Sequence, residues 1–450
     1  MEDTIAAIST SPGIGAISIV RVSGKDSFEI VSKIFKGKKS PKKIKKRAIL
    51  YGWIIDDEKN IIDEVLLFVM RGPHTYTGED TIEISTHGGY IPAKKVLETV
   101  IKAGARLAEK GEFTKRAFLN GRIDLLKAES INDIVRAKTE KSFLIAEKNL
   151  RGTLSNKIKN IKEDIINIIS YIEASLDFPE EDIPDIDFEN ISGKLEDLKG
   201  KLLSLKESYR ISKAVMEGID VVITGKTNVG KSSLFNAILN EEKAIVTPIP
   251  GTTRDIIEGW IDLEGYPVRI LDTAGIRKTE DYVEVIGVSK TLKKLEESDF
   301  VIIVIDGSSD LNEEDRELIE RFKENSIIVI NKVDLGIKEE IKDLIKDGIP
   351  VSALKFQGIE KLLEKLKYKI EERFPVYFGE GYITKERELY SINNSIKFLN
   401  NGIKGIKDKL NPELIVYELK CASDSLKEII GEITSEEILN RIFSDFCIGK

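Results

Sequence analysis

The chain is predicted to be multidomain, part α/β and part all-α, with an α/β module inserted into a helical bundle. Three observations predict it. Short apolar strands alternate with a helical stretch over residues 1–118. Leucine and isoleucine then recur at spacings of three and four on both sides of residues 211–375. Between those stretches the apolar run Ile219–Ile223 leads straight into Gly225-Lys226-Thr227-Asn228-Val229-Gly230-Lys231-Ser232, which reads GxxxxGKS. A length of 450 residues suits about three domains. Boundaries are expected at 1–118, 119–210, 211–375 and 376–450, the second and fourth segments being two parts of one bundle.

In chain order, Ala16–Val22, Glu64–Met70 and Thr81–Thr86 read as strands, and Pro92–Ala103 as a helix closed by Gly104. Leu150, Leu154, Ile158, Ile161, Ile165, Ile168 and Ile172 form one helical stripe; Leu195, Leu198, Leu202 and Leu205 form another. An acidic, proline-bearing loop, Phe178–Pro184, separates them. The inserted module runs from about Gly218 to Phe374, and its two ends are expected to lie close together. Beyond Pro375 a stripe of Leu426, Ile429, Ile430 and Ile433 resumes the helical pattern. Thr434 with Glu437 predicts a capping box for a last helix carrying Ile438, Ile442 and Phe446.

The chemistry is concentrated in the inserted module. In a phosphate-binding loop, glycines let the backbone curl until successive N–H groups, here across Asn228, Val229, Gly230, Lys231, Ser232 and Ser233, face one phosphate cluster. Lys231 is expected to reach the β- and γ-phosphates and the Ser232 hydroxyl to ligate Mg²⁺. Arg269–Asp272 is a strand ending in Asp272-Thr273-Ala274-Gly275. Asp272 suits the Mg²⁺ shell and the Gly275 N–H suits the γ-phosphate. Ile327–Ile330 is a strand ending in Asn331-Lys332-Val333-Asp334. The Asp334 carboxylate matches the paired donors of guanine, which adenine lacks. Ser352-Ala353-Leu354 backs the base. Four motifs in this order point to GTP as substrate.

Ile276 follows Gly275, where Ras-like GTPases carry a water-orienting glutamine. An isoleucine cannot orient water, which leaves Arg254, Arg277, Glu280, Asp281 and Glu284 as candidates. Thr247–Asp255 is the expected first switch, with Thr253 as the second Mg²⁺ hydroxyl. Asn228, with backbone carbonyls from 247–252, either surrounds a monovalent cation or serves as a turn residue.

The bulk numbers bound the remainder. Net charge is −8, from 69 basic and 77 acidic residues, which does not advertise nucleic-acid binding. Hydrophobic residues make up 41% and charged residues 32%, enough for real cores under a charged surface. Two cysteines, Cys421 and Cys447, fit a reducing cytoplasm. No run has the length of a membrane span, and no signal peptide is read at the start. Histidines and cysteines show no zinc spacing. One local exception to the acidic balance stands out. Residues 36–47 hold eight cations in twelve positions (Lys36, Lys38, Lys39, Lys42, Lys43, Lys45, Lys46, Arg47). The run either meets RNA phosphates or is a solvated loop.

Gly251-Thr252-Thr253-Arg254-Asp255, DTAG followed by an apolar residue, Pro12-Gly13-Ile14-Gly15, Thr77-Gly78-Glu79-Asp80, His87-Gly88-Gly89 and Phe446-Cys447-Ile448-Gly449-Lys450 together resemble the MnmE (TrmE) family of tRNA-modification GTPases. The resemblance covers the whole chain. It implies a cytoplasmic, homodimeric, K⁺-activated GTPase that works with the flavoprotein MnmG on tRNA and not at a membrane. The product is a carboxymethylaminomethyl group at C5 of the wobble uridine. By resemblance, Asn228, Thr247, Ile249 and Thr252 ligate K⁺, and Ser232 and Thr253 ligate Mg²⁺. Glu284 positions the attacking water through a bridging water, beside Lys231, Thr253 and Arg254. The N-terminal domain is similar to the folate-binding domain of the glycine-cleavage aminomethyltransferase. That implies a tetrahydrofolate derivative, in a 5-formyl or methylene form, held by Arg21, Glu83, Arg122 and Lys450. Cys447 reads either as a residue near the one-carbon chemistry or, more plainly, as a small buried side chain at a helix end. Two other classes compete: a ribosome-assembly GTPase, which shares the apolar residue after DTAG, and a non-enzymatic nucleotide-switch scaffold.

Overall fold

The computed structural model describes residues 3–177, 186–241, 257–272, 293–377 and 381–450. The acidic loop expected at Phe178–Pro184 lies outside them. In chain order the first elements are β1 (Ile5–Ile8), β2 (Ile17–Ser23), α1 (Ser27–Ile34), β3 (Phe35–Gly37), β4 (Ala48–Ile55), β5 (Ile61–Met70), β6 (Thr81–His87), α2 (Tyr90–Lys102) and β7 (Arg106–Leu107). Helices α3 (Glu112–Leu119), α4 (Leu125–Arg136), α5 (Glu140–Leu150), α6 (Thr153–Asp177) and α7 (Phe188–Glu217) follow. The inserted module contributes β8 (Ile219–Thr224), α8 (Lys231–Glu241), β9 (Ile257–Leu263), β10 (Tyr266–Asp272), β11 (Phe300–Asp306), α9 (Glu313–Arg321), β12 (Ser326–Asn331), β13 (Ile349–Pro350) and α10 (Ile359–Arg373). The chain ends in α11 (Glu386–Lys407), α12 (Pro412–Ile430) and α13 (Glu436–Ser444).

Contacts divide these elements into two units. One holds Met1–Asn132, Ile158–Lys162 and Ser423–Lys450; the other holds Asp133–Lys157 and Glu163–Ala422. The helical segments flanking the module contribute to both units.

The first unit is built on a seven-stranded sheet in the order β3-β4-β5-β6-β2-β1-β7, antiparallel except where β1 meets β7. Its strands alternate as a half-covered sheet must. Val20, Val22, Leu67, Ile82 and Ile84 point to one face and are buried with Phe28, Val31, Val96 and Val100 of α1 and α2. Arg21 and Glu83, registered opposite each other, share the other face. Helix α13 packs on α3, and its Leu439 and Phe443 are buried with Leu125 and Ala128 of α4.

The second unit contains a six-stranded sheet in the order β13-β12-β11-β8-β10-β9, parallel except for β9. Its central strands read as continuous apolar runs because both faces are covered. The module's ends meet: an Arg210 guanidinium N–H donates to the Arg373 carbonyl at 2.8 Å, and the Tyr266 hydroxyl donates to the Phe374 carbonyl at 3.0 Å. Helices α7 and α11, which flank the insertion, pack together. The β9–β10 hairpin is gripped from outside the module. The Lys138 ammonium lies 3.5 Å from the Trp260 ring centroid and that of Lys141 lies 3.6 Å from Tyr266.

Three local expectations change. The Leu150–Ile172 stripe is two helices, α5 and α6, separated by Gly152 in a left-handed conformation (φ +94°) that stops the first. Ile433 lies past the end of α12 and is 45% exposed, so it does not extend the Leu426–Ile430 stripe. The last helix is capped one residue later than expected. The Ser435 hydroxyl, not that of Thr434, accepts from the Ile438 N–H, at 3.3 Å.

Candidate active site

The GxxxxGKS loop leaves the carboxyl end of the central strand β8 and enters α8, so it sits where parallel α/β sheets take their ligands. Lys231 opens α8, and its Nζ donates to the carbonyls of Gly225 (3.0 Å) and Lys226 (2.5 Å), inside the loop it serves. The Ser232 hydroxyl donates to Asp272 Oδ2 at 2.8 Å, joining the start of α8 to the end of β10. Asn228 has φ +63°, a left-handed turn that asparagine tolerates.

Asn331 is the keystone of the site. Its Nδ2 donates to the Val229 carbonyl at 2.8 Å, and its Oδ1 accepts from the Ala353 N–H at 3.0 Å. One buried amide thereby ties the GxxxxGKS loop to the Ser352–Leu354 segment. Gly230 lies directly beneath it: a Cβ there would stand 2.2 Å from Asn331 Nδ2, and φ is +96°. In the same segment the Ser352 hydroxyl donates to Asp334 Oδ1 at 2.6 Å and holds that carboxyl below its ordinary range. Leu354 is 79% exposed. Lys332, at φ +62°, sends Nζ to Asp306 Oδ2 at 2.7 Å. Burial pushes the Asp306 carboxyl up, but Lys332 and the Ser308 hydroxyl and N–H outweigh it, and the net direction is down.

Of the predicted nucleotide and cation residues, Asn228, Val229, Gly230, Lys231, Ser232, Ser233, Asp272, Asn331, Lys332, Asp334, Ser352, Ala353 and Leu354 are described. Thr247, Ile249, Thr252, Thr253, Arg254, Thr273, Ala274, Gly275 and Glu284 lie outside the described residues, as do Ile276, Arg277, Glu280 and Asp281.

A second cluster lies in the sheet unit. Arg21 Nε donates to Glu83 Oε1 at 2.8 Å, and its guanidinium carbon sits 5.3 and 5.5 Å from the ring centroids of Tyr76 and Phe113. The 447–450 stretch comes to this arginine. The Gly449 carbonyl accepts from the Ser9 hydroxyl at 3.1 Å and from an Arg21 N–H at 3.4 Å. The Phe113 N–H donates to the Lys450 carbonyl at 3.2 Å, and the Gly111 N–H to that of Cys447 at 3.4 Å. Gly449 has φ +90°, and a Cβ on it would stand 2.3 Å from the Ile8 carbonyl oxygen. Arg122 is tied by Nε to the Thr75 carbonyl at 3.0 Å. Cys447 is exposed, against the expectation of a small buried side chain: α13 ends at Ser444, and the residues beyond it run over the surface of α3.

Two models of protein families match: the TrmE N-terminus of GTP-binding proteins over residues 4–122 and the MnmE helical domain over residues 125–447. The tRNA modification GTPase MnmE of Thermoanaerobacter pseudethanolicus is 46% identical over 100% of this chain and 99% of its own length. The chain belongs to the MnmE family of tRNA-modification GTPases. MnmE proteins of Natranaerobius thermophilus and Clostridioides difficile are similar at 43% and 42% identity, each over 100% of both chains. Membership makes the chain a GTP-hydrolysing enzyme of tRNA modification, with a TrmE-type N-terminal domain and an MnmE helical domain. The readings as a ribosome-assembly factor and as a non-enzymatic scaffold fall away with it. No helix among the described residues is long and apolar enough to cross a membrane.

Both clusters also rest on residues that carry no motif. Asp306, at the tip of β11, restrains Lys332. Asp315, 3% exposed, pairs with Lys226 of the phosphate loop at 2.6 Å while closing a reciprocal cap with Asn312 at the start of α9. In the first unit, Arg116 of α3 is 1% exposed and binds Asp3, Glu79 and Glu112, which ties α3 to the segment before β1 and to the loop before β6. The one sequence signal for these was the acidic residue three positions after Asn312, a capping-box spacing.

Proposed function

We propose that this MnmE-family chain is a cytoplasmic, homodimeric, K⁺-dependent GTPase. It works with MnmG to place a carboxymethylaminomethyl group at C5 of the wobble uridine, drawing the carbon from a tetrahydrofolate derivative. The observation that carries the reading is Arg21 held between Glu83 and the Gly449 carbonyl, beside Phe113 and Tyr76. A guanidinium and a carboxylate together, next to aromatic rings and partly open to solvent, suit a pterin with an acidic tail. Arg122 and Lys450 would add positive charge for that tail. The folate supplies the one-carbon unit when bound; the chain's own residues orient it.

In the GTPase domain, Lys231 and the loop N–H groups bind the phosphates, and Asp334 with Ser352 selects guanine. Asn331 keeps the two ends of the nucleotide site at a fixed span. Ser232 and Asp272 offer a pair of hard oxygens that fits Mg²⁺, with Thr253 as a further ligand. Bound there, Mg²⁺ would supply positive charge against the phosphate oxygens. Asn228 would join Thr247, Ile249 and Thr252 around K⁺, and Glu284 would hold the attacking water, with Arg254 close by. Domain movement on loss of the γ-phosphate is the output. Hydrolysis is expected to run many-fold faster in K⁺ than in Na⁺ at equal ionic strength, and a rate indifferent to the cation removes the K⁺ site. Nucleoside analysis of tRNA from cells lacking the gene tests the pathway; normal wobble uridines would refute it.

A further inference from the structure

We propose that the cationic ridge at residues 36–47 is a docking surface for the tRNA phosphate backbone, an inference that rests on the tRNA-modification reading above. All eight cations of the run are exposed. Among the described residues one carboxylate pairs with them, Glu29 with Lys42 at 3.6 Å, and both of those side chains are half exposed. Such a pair is worth little against seven further like charges.

The ridge is held in shape, which separates it from an ordinary solvated loop. Lys36 and Gly37 belong to β3 and pair with Trp53 and Gly52 of β4. Pro41 is buried and starts a single 3₁₀ turn over Pro41–Lys43, closed by the Ile44 N–H on the Pro41 carbonyl at 3.0 Å. Arg71 then fastens the backbone from below, donating to the Ile44 carbonyl at 2.9 Å and to the Lys42 carbonyl at 3.4 Å. Arg71 is itself fixed by Asp80 at 3.0 Å and lies 3.9 Å from the Phe28 ring centroid. The Ser32 hydroxyl accepts from the Lys42 N–H at 3.3 Å and from the Ser40 hydroxyl at 3.2 Å. An arginine therefore supports the main chain of a segment whose side chains are already cationic.

Concentrating positive charge on a rigid scaffold costs self-repulsion, in a protein whose net charge is −8. A regularly spaced polyanion relieves that repulsion by ion pairing and by releasing its own counterions. The ridge holds lysines and one arginine with no amide side chain among them, a composition that fixes a backbone's position without reading its bases. The specificity of the modification therefore resides elsewhere.

The test uses the full chain with Lys38, Lys39, Lys45 and Lys46 all changed to Gln, and a second variant with the same four changed to Arg. Fluorescence anisotropy with labelled tRNA is followed over roughly 50–200 mM salt. The Gln variant should bind at least ~10-fold more weakly at low salt. Its slope of log affinity against log salt should be shallower by about three, since each lost phosphate contact removes ~0.7–0.9. Its basal GTP hydrolysis should match the parent, and the Arg variant should keep both affinity and slope. An unchanged slope and affinity in the Gln variant overturns the proposal. So does retained tRNA binding with loss of binding to phosphatidylserine vesicles, which would assign the ridge to a membrane surface. A parent protein that fails to bind tRNA at any salt would instead refute the tRNA reading itself.

Discussion

Asn331→Ala tests whether the nucleotide site is held together by one side chain. The substitution removes the donor to the Val229 carbonyl and the acceptor for the Ala353 N–H. Val229 and Ala353 are 5% and 4% exposed, so water cannot readily replace the lost partners. Each orphaned buried group costs ~1–3 kcal/mol, which puts the pair at about 3 kcal/mol. If the whole amount appears as reordering of the phosphate loop on binding, GDP affinity falls by up to ~150-fold. Titration with a fluorescent GDP analogue measures it, and urea unfolding measures the accompanying loss of stability. The loss should be the same for inosine diphosphate, because the tie acts on the loop and not on the 2-amino group. A GDP affinity within threefold of the parent, with the unfolding midpoint unmoved, refutes the reasoning. A loss confined to guanine nucleotides would show that Asn331 acts on the 2-amino group instead.

Gly449→Ala places a methyl against the Ile8 carbonyl in a left-handed conformation, so the 447–450 stretch must leave Ser9 and Arg21. Calorimetric titration with 5-formyl-tetrahydrofolate should show at least ~10-fold weaker binding, since the strain alone is worth ~1–2 kcal/mol, while GTP hydrolysis is retained; undiminished folate affinity would separate this stretch from the cofactor. Glu112→Gln weakens the pairing of buried Arg116 and should cost about 3 kcal/mol in urea unfolding. Burial raises the Glu112 carboxyl, but Arg106, the Glu109 N–H and Arg116 bring it below its ordinary range. A carboxyl depressed in the folded state contributes stability above its unfolded value, about 4.3, and loses it as pH falls through the folded value. Acid unfolding of the parent should thus steepen below about pH 4.3, and the Gln variant should show a shallower fall; identical acid limbs would mean that the network is not linked to protons.

How much was legible depends on how local the physics is. The phosphate loop, Asp272 and the Asn331–Asp334 segment could be read because each needs a few residue types at fixed spacing after a strand. The tie from Asn331 to Val229 could not, because it joins positions 102 apart that only the sheet order brings together. Strand β11 carries no motif, and its Asp306 acquires meaning only once Lys332 lies beside it. Helical periodicity found α6 and α7 but ran through the break at Gly152, since a stripe does not register a single left-handed residue. Thr434 and Ser435 are chemically alike as caps, and the choice between them falls to the side chain whose hydroxyl reaches Ile438. The basic run was visible at once. Its rigidity was not, because it depends on pairing with β4 and on Arg71, both beyond the run in sequence.

The order of synthesis gives the first unit an unusual schedule. Its sheet is translated early, but Ser423–Lys450, which supplies the helix on α3 and the strap over Arg21, is translated after the whole GTPase module. While the ribosome makes the intervening residues, Leu125 and Ala128 lack the cover of Leu439, Phe443 and Phe446. The parallel-stranded module can acquire its own core during that interval, as domains do when they emerge in turn. Maturation of the sheet unit is therefore timed by elongation through a foreign insert, and a pause within the module would prolong the exposure of an apolar surface hundreds of codons upstream.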